Sequence, residues 1–186
     1  MKLNLILATT YELGIGMKNG ALPWSSRKDM RRFSKLTKGK GDYRNLILMG
    51  RNTWEGLPKK PLPQRDHVIL SRRFSHIQSD KDKEHVFTEQ SMKHILETVM
   101  KYSYYDEIWI IGGKQVYEEF IKMYSKKYPH CIYWTWVVRK DNKVIPCEIS
   151  LSNEIAKELD KNYTMIEKEI EEDNELQLIH CIYKSK

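Results

Sequence analysis

Short apolar runs alternate along this chain with stretches that repeat their apolar residues at helical spacing. Six runs have the length and composition of buried strands: Leu3–Ala8, Asn45–Met49, His67–Ser71, His85–Phe87, Glu107–Ile111 and Cys131–Val138. Three apolar stripes predict helices between them: Met30, Phe33 and Leu36; Ile95, Leu96, Val99 and Met100; Val116, Tyr117, Phe120 and Ile121. This alternation predicts βαβ units and a largely parallel sheet.

The C-terminal part has a different pattern. Tyr163–Ile170 and Glu175–Tyr183 flank the dipeptide Asp173-Asn174, which favours a β-hairpin and therefore an antiparallel edge. The acidic run Glu167–Glu175 is interpreted as the solvated end of that hairpin. The predicted fold class is α/β: a single domain over residues 1–186, with a mixed, mostly parallel central sheet flanked by helices and an antiparallel C-terminal hairpin.

Glycine and proline mark the predicted connections. Turns are expected at Gly14–Gly16 and Lys18–Gly20, and Pro58–Pro63 holds too many prolines for a helix or a central strand. Arg72–Glu84 is polar and charged, which indicates an exposed excursion.

Composition narrows the class without choosing a function. Of the 186 residues 40% are hydrophobic and 31% charged, and the net charge of +7 suits anionic partners, from phosphorylated cofactors and glutamylated substrates to nucleic acid. The apolar run after Lys2 is too short for a signal peptide, and no run approaches the ~20 residues of a membrane span. The 3 cysteines indicate reduced, mostly buried thiols and a cytoplasmic protein, and the 6 histidines form no ligand pattern, so no metal is predicted.

Asp29 is the one carboxylate on the apolar side of the first predicted helix. Ser26, three residues earlier, completes a capping-box pattern in which both side chains satisfy N–H groups at the helix start. Alternatively, the carboxylate lies at the bottom of a cleft and binds a nitrogen-rich ligand. Local spacing favours the cap, and both interpretations stay open at this point.

At two junctions marked by glycine, a predicted strand ends and a predicted helix begins. Gly50 precedes Arg51 and Thr53, which add a charge and a hydroxyl, and the adjacent Gly112 and Gly113 precede the second helix. Such junctions let a phosphate approach backbone N–H groups, although the first also fits an ordinary tight turn. Neither matches G-x-G-x-x-G, so a Rossmann fingerprint is rejected.

Further motifs occur in a definite order along the chain. Leu5-Ile6-Leu7-Ala8 is followed by Gly14-Ile15-Gly16, Asn19-Gly20, Leu22-Pro23-Trp24, Asp29 and Phe33, and later by Pro61-Leu62-Pro63-Gln64-Arg65, Leu70-Ser71-Arg72 and Tyr133-Trp134-Thr135-Trp136. With the two glycine junctions, this order resembles the dihydrofolate reductase family from about Leu3 to Tyr183. The resemblance favours Asp29 as an active-site acid, which does not exclude a capping role.

The resemblance implies a role for each matching residue. Catalysis would fall to Asp29 and Thr135. The substrate-binding residues would be Ile6, Leu7, Asp29, Met30, Phe33, Leu57, Leu62, Arg65, Ile111 and Thr135. The cofactor-binding residues would be Ala8, Ile15, Gly16, Gly20, Trp24, Gly50, Arg51, Thr53, Leu70, Ser71, Arg72, Ile111, Gly112, Gly113, Lys114, Gln115, Val116 and Tyr117.

Some of these roles are specific. The backbone carbonyls of Ile6 and Ile111 would accept hydrogen bonds from the pterin, and Arg65 would meet the α-carboxylate of the glutamate tail. The segment around Arg72 would contact the adenosine 2′-phosphate, together with Arg51. Residues 15–24 would form a mobile loop that closes over the nicotinamide.

The sequence departs from the family pattern in two places. Asn142–Pro146 is shortened and lacks the acid-Thr pair that family members usually have, which puts the loop contact of that acid in doubt. Basic residues also surround Asp29, and they could lower its pKa if they are close: Arg27, Lys28, Arg31 and Arg32.

The resemblance implies a monomeric, cytoplasmic, NADPH-dependent dihydrofolate reductase. Such an enzyme reduces 7,8-dihydrofolate to tetrahydrofolate for one-carbon metabolism and is an antifolate target, without nucleic-acid or membrane partners. One alternative is another pteridine or pyrimidine reductase of the same fold, which Arg65 and Asp29 disfavour. The other is a nucleic-acid-binding domain using Arg27–Arg44, a region that lacks aromatic interleaving.

Overall fold

The computed structural model describes residues 2–41, 43–72, 85–102 and 105–186. Its helices are α1 (Arg27–Thr37), α2 (Arg51–Gly56), α3 (Met92–Tyr102), α4 (Lys114–Met123) and α5 (Asn153–Asn162). Its strands are β1 (Lys2–Thr9), β2 (Gly14–Gly16), β3 (Asn45–Gly50), β4 (Arg65–Leu70), β5 (Val86–Glu89), β6 (Glu107–Gly112), β7 (His130–Arg139), β8 (Ile149–Ser150), β9 (Tyr163–Asp173) and β10 (Leu176–Ser185). Most of the predicted excursion, residues 73–84, lies outside the described residues.

Eight strands form one sheet in the order β5-β4-β3-β6-β1-β7-β10-β9. The pairs from β5 to β7 are parallel, and β10 is antiparallel to both β7 and β9. The predicted class, a mostly parallel sheet with an antiparallel C-terminal hairpin, is therefore confirmed. Strand β1 lies between β6 and β7 in the parallel part of the sheet. In open sheets of this kind the ligand crevice lies beyond the carboxyl ends of the central strands.

Strand β1 shows how the sheet holds a core on each face. Leu3, Leu5 and Leu7 are at most 5% exposed and pack in the larger cluster, which includes residues of α3, α4 and α5. Alternate positions point to the opposite face, where Ile6 joins a cluster that contains Phe33 of α1 and Trp54 of α2. The crevice therefore has α1 and α2 along one side.

Three elements were not predicted from the sequence: α5, β2 and β8. Helix α5 begins after Ser152 and buries Ile155 and Leu159, which are one turn apart. The predicted turn at Gly14–Gly16 is instead the short strand β2, which pairs with β8 in a separate two-stranded sheet.

The interpretation of the whole acidic run as solvated was wrong at one residue. Asp173 is 9% exposed, and its Oδ2 accepts hydrogen bonds from Ser26 Oγ at 2.6 Å and from the backbone N of Lys28 at 3.1 Å. A carboxylate at a helix N-terminus is stabilised by the free N–H groups and the helix dipole. The hairpin end therefore fixes where α1 begins.

The remaining sequence-based expectations on burial are mixed. Cys181 is buried, but Cys131 and Cys147 are only partly so, because they lie near a strand end and in a loop. No helix in the described ranges is both long enough and apolar enough to cross a bilayer.

Candidate functional site

Asp29 turns its carboxylate toward the sheet and not toward its own helix start. Ser26 Oγ accepts from the Asp29 backbone N at 3.1 Å, so the cap is made by serine. The Asp29 side chain instead interacts with Thr135 on β7, which lowers the pKa of Asp29. The serine half of the predicted capping box is therefore present, and the Asp29 carboxylate is left for other interactions.

Burial raises the pKa of Asp29 from its ordinary 3.8 to about 6. Thr135, the charge of Arg32 and Trp24 all oppose that rise, and the nearby charge of Asp173 adds to it. Of the surrounding basic residues Arg32 does lower the pKa of Asp29, but desolvation is the larger effect. A carboxyl group with this pKa can change its proton occupancy close to neutral pH.

Two of the basic residues around Asp29 have acidic partners on the edge strand β9. Lys28 Nζ lies 3.2 Å from Glu171 Oε1, and Arg32 Nη1 lies 3.8 Å from Glu169 Oε2. These pairs draw positive charge toward the sheet edge and leave Asp29 less compensated.

Trp24 carries a buried polar atom beside the acid. The side chain is 8% exposed, and its Nε1 has no hydrogen-bond partner among the described residues within ordinary distance and angle. The indole nevertheless acts on Asp29 and lowers its pKa. An unpaired buried N–H aimed near a carboxylate is a position that a bound water or a ligand atom would satisfy.

The carbonyl of Ile6 lies at the carboxyl end of β1. Tyr117 Oη donates a hydrogen bond to it at 2.7 Å, and complete burial raises the pKa of Tyr117, which keeps the phenol protonated. A carbonyl oxygen has two lone pairs, so the Ile6 oxygen can still accept a second hydrogen bond. The neighbouring strand β6 brings Ile111 alongside, since Leu5 and Ile110 are register partners.

Of the residues predicted to form the apolar walls of the substrate cleft, three are packed in the interior and one is exposed. Phe33, Leu57 and Leu62 pack against the cluster of Trp54 and Ile111. Met30 is different, with 47% of its surface exposed. It lies one residue beyond Asp29 on α1 and faces more toward solvent than the prediction of a cleft wall implies.

Arg65 is held in one orientation at the far end of these walls. Its side chain is 3% exposed, Nε donates to the Pro63 carbonyl at 3.0 Å, and Nη1 donates to Thr37 Oγ1 at 2.9 Å. The guanidinium carbon lies 5.9 Å from the centre of the Phe33 ring. This geometry fixes the planar fork beside the apolar wall before any ligand arrives.

The two glycine junctions meet beyond the ends of β3 and β6. A Cβ on Gly50 would lie 3.2 Å from Val116 Cγ2 and 3.9 Å from the N of Gly113, and a Cβ on Gly113 would lie 3.1 Å from Thr53 Oγ1. Within the described part of the chain, no side chain caps the N-terminus of α2 or α4. The first N–H groups of the longer helix α4 are therefore available to an anion.

Gly112 has a conformation that only glycine adopts comfortably. Its φ is +110°, and a Cβ there would lie 2.8 Å from the ring of Tyr117. The glycine thus lets β6 turn into α4 while Tyr117 reaches back to the Ile6 carbonyl. The next two residues of the predicted set, Lys114 and Gln115, begin α4 at the surface.

The predicted adenosine end lies at the neighbouring strand ends. Leu70 is the register partner of Gly50, so Ser71 and Arg72 follow β4 beside the start of α2. Arg72 is exposed. Arg51 Nε pairs with Glu55 Oε1 at 3.2 Å, one turn along α2, so this arginine is oriented along its own helix.

The loop over the crevice is fastened by an acid that sequence reasoning missed. Glu148 Oε2 accepts from the backbone N of Lys18 at 2.8 Å, and the Glu148 backbone N donates to the Gly16 carbonyl at 3.1 Å. Gly20 packs against Gly56 of α2, where a Cβ would lie 3.0 Å from the other backbone. A contact between the two loops is thus made by Glu148, two residues beyond the altered Asn142–Pro146 segment.

A second missed residue lies beneath Thr135. His180 of β10 is 2% exposed, with Nδ1 2.9 Å from Thr135 Oγ1. The sequence alone could not predict this contact, because the two residues are 45 positions apart and are brought together by the β7–β10 register. Of the remaining predicted residues, Leu7 is buried in the larger cluster on the opposite face of the sheet, whereas Ala8 and Ile15 lie on β1 and β2.

A crevice between a partly buried carboxylate and two glycine-marked helix starts, at the switch point of an open sheet, is typical of nucleotide-dependent α/β enzymes. The family model described as dihydrofolate reductase matches residues 2–183, and the chain belongs to that family.

Individual relatives agree with this assignment. A dihydrofolate reductase of Aedes albopictus is 35% identical over 192 residues, covering 98% of this chain and 97% of its own length. One of Schistosoma mansoni is 35% identical over 144 residues, or 74% of this chain and 73% of its own. A Caenorhabditis elegans protein is 41% identical over 121 residues, and that match spans 63% of each chain.

Proposed function

We propose that this chain transfers hydride from NADPH to 7,8-dihydrofolate and so forms tetrahydrofolate. Family membership supports a reductase that uses a nicotinamide cofactor. The observation that carries the proposal is Asp29, a desolvated carboxyl group with a pKa of about 6 at the mouth of the crevice. We also propose a monomer with a single domain over residues 1–186.

The proposed cofactor site fits a dinucleotide phosphate. Uncapped N–H groups of α4 and the bare backbone of Gly50 and Gly113 suit a pyrophosphate, and side chains at these glycines would close the space. Arg51 and Arg72 lie at the proposed 2′-phosphate end. When bound, NADPH supplies the hydride, and the protein orients it and excludes water.

Asp29 would bind the amino and ring N–H groups of the pterin, with Ile6 and Ile111 carbonyls accepting from the same edge. Hydride reaches C6 readily only when N5 carries a proton. An ionised carboxylate on the opposite edge of the pterin favours that proton electrostatically, without contact with N5. Arg65 would hold the substrate's glutamate carboxylate through its preoriented fork.

The direct test is NADPH oxidation on addition of dihydrofolate, followed by absorbance, with a pterin lacking the glutamate tail as a second substrate. Strong preference for dihydrofolate is the expected result. Equal rates would favour another pteridine reductase, and absence of oxidation with either would refute the proposal. Quenching of tryptophan fluorescence by NADPH tests the cofactor independently.

A further inference from the structure

A line of neighbouring side chains crosses the sheet under α1. Ala8 of β1 is the register partner of Thr135 on β7, Thr135 of His180 on β10, and His180 of Glu169 on β9. Directly opposed residues share one face of a sheet and touch. Arg32 of α1 reaches Glu169 at 3.8 Å over that face. The line therefore leads from the crevice to the sheet edge beneath one helix.

His180 occupies the middle of this line and is almost wholly enclosed. Nδ1 contacts Thr135 Oγ1 at 2.9 Å, while Nε2 is buried without a hydrogen-bond partner in the described part of the chain and lies 3.6 Å from Glu171 Oε2. Burial and the charge of Arg32 lower the pKa of His180, outweighing Glu171 and Glu169. The ring is therefore neutral at neutral pH and carries one N–H.

One hydroxyl proton must serve two neighbours. A threonine hydroxyl donates once, and an ionised carboxylate only accepts. If Thr135 donates to ionised Asp29, then His180 must hold its proton on Nδ1, and its bare Nε2 faces the Glu171 carboxylate. If His180 holds its proton on Nε2, that N–H can donate to the Glu171 carboxylate. Nδ1 then accepts the hydrogen bond of the Thr135 hydroxyl, and Asp29 no longer receives one from Thr135.

We propose that His180 is a positioning residue whose tautomer sets the direction in which the Thr135 hydroxyl donates, and thereby whether Asp29 holds a proton. The catalytic use of that proton rests on the proposed function, whereas the coupling is a property of the free protein. The charged groups that face His180 and Thr135 come from two elements: Asp29 and Arg32 on α1, and Glu169, Glu171 and Asp173 on β9.

The test is the pKa of Asp29 in the ligand-free protein, measured by carbon-13 NMR of its carboxyl group. In His180→Phe, Thr135 donates to Asp29 without competition, so the pKa of Asp29 should fall by about half to one unit. His130→Phe is the matched control, since His130 is a buried histidine on the same sheet bonded to Tyr163 Oη at 2.7 Å. The control should leave Asp29 unchanged.

Two other outcomes overturn the proposal. An unchanged pKa in His180→Phe makes the histidine purely structural, and a raised pKa means that it acts as a cation. In a Thr135→Val background, His180→Phe should have no further effect, because the link is already cut. A shift of the same size there would show direct action through space.

Nitrogen-15 shifts of His180 in the unmodified protein provide a measurement that needs no variant. The proton should move from Nε2 to Nδ1 as pH rises through the titration of Asp29, and a constant tautomer refutes the coupling. If the unmodified protein shows this coupling between His180 and Asp29 but does not reduce dihydrofolate, only the proposed function is refuted.

Discussion

The two ends of the proposed site hold their ligands by different means. At the cofactor end the available groups are backbone, where Gly50 and Gly113 leave space beside the uncapped start of α4. At the pterin end the group is a side chain, Asp29, whose burial works against its own charge. The cofactor end depends on the absence of side chains at two glycines, and the pterin end depends on a partly buried carboxyl group.

This difference predicts separable failures. Changes at Asp29 should affect chemistry and leave cofactor affinity intact, whereas changes at the arginines of the adenosine end should do the reverse.

The largest effect is expected for Asp29→Asn at pH 7. Without the carboxylate, protonation of the pterin loses its electrostatic support, and turnover should fall by ~10²–10⁴-fold. Affinity for NADPH, measured by fluorescence quenching, should change little, because the cofactor junctions lie on other elements. A parallel loss of NADPH affinity would mean that the two ends are not separate.

The second effect concerns the far end of the substrate wall. Arg65→Leu removes a charge-assisted bidentate contact, and loss of about 1.5–3 kcal/mol should raise KM for dihydrofolate by roughly 10- to 150-fold. Because Arg65 also bonds Thr37 and Pro63, a thermal melt must accompany the kinetics. KM for a pterin without the glutamate tail should barely change, and an equal rise for both ligands would make Arg65 structural.

The third effect is on stability and has an unusual sign. The pKa of Asp29 is raised in the folded state, so the folded protein binds a proton more tightly and loses stability as pH rises from about 3.8 to about 6. Asp29→Asn should therefore be more stable than the unmodified protein at pH 7 by about 1–3 kcal/mol, with the gap closing below pH ~4.

Ser26→Ala is the control for that measurement. It removes the true cap of α1 and should lower stability by ~0.5–2 kcal/mol. Urea unfolding at several pH values distinguishes the Asp29→Asn and Ser26→Ala variants. If Asp29→Asn is less stable than the unmodified protein at pH 7, the Asp29 carboxylate acts as a helix cap.

The smallest effect is expected at the adenosine end. Arg51 and Arg72 lie near the surface, and their joint replacement by alanine should reduce the preference for NADPH over NADH by roughly ten-fold. Glu55→Gln is the matched control, since it releases Arg51 from its pair and should keep the preference. Equal use of both cofactors by the unmodified chain would remove this assignment.

The contrast between the ends also explains what the sequence could predict. Adjacent glycines after an apolar run, as at Gly112 and Gly113, predict a strand-to-helix turn from the local sequence alone. The strands and the class of sheet followed from the periodicity of apolar residues. Helix α5 was missed although Ser152, Ile155 and Leu159 carry a cap and an apolar stripe, because the surrounding residues are highly polar.

The pterin end depends on contacts between distant parts of the chain. Asp173 reaches Ser26 across 147 positions, Glu148 reaches Lys18 across 130, and His180 reaches Thr135 across 45. None has a local signature, since an acidic residue in a charged hairpin or loop is ordinarily solvated. The β7–β10 register brings His180 to Thr135, and the packing of distant loops and helix starts makes the other two contacts.

The central claim, that Asp29 is the active-site acid, is tested most directly by single-turnover hydride transfer from bound NADPH across pH. The unmodified protein should be fast at pH 7. Asp29→Asn should be slower by orders of magnitude there and should regain part of its rate as pH falls, because solvent then supplies protonated substrate. Normal hydride transfer by Asp29→Asn at pH 7 would contradict the claim.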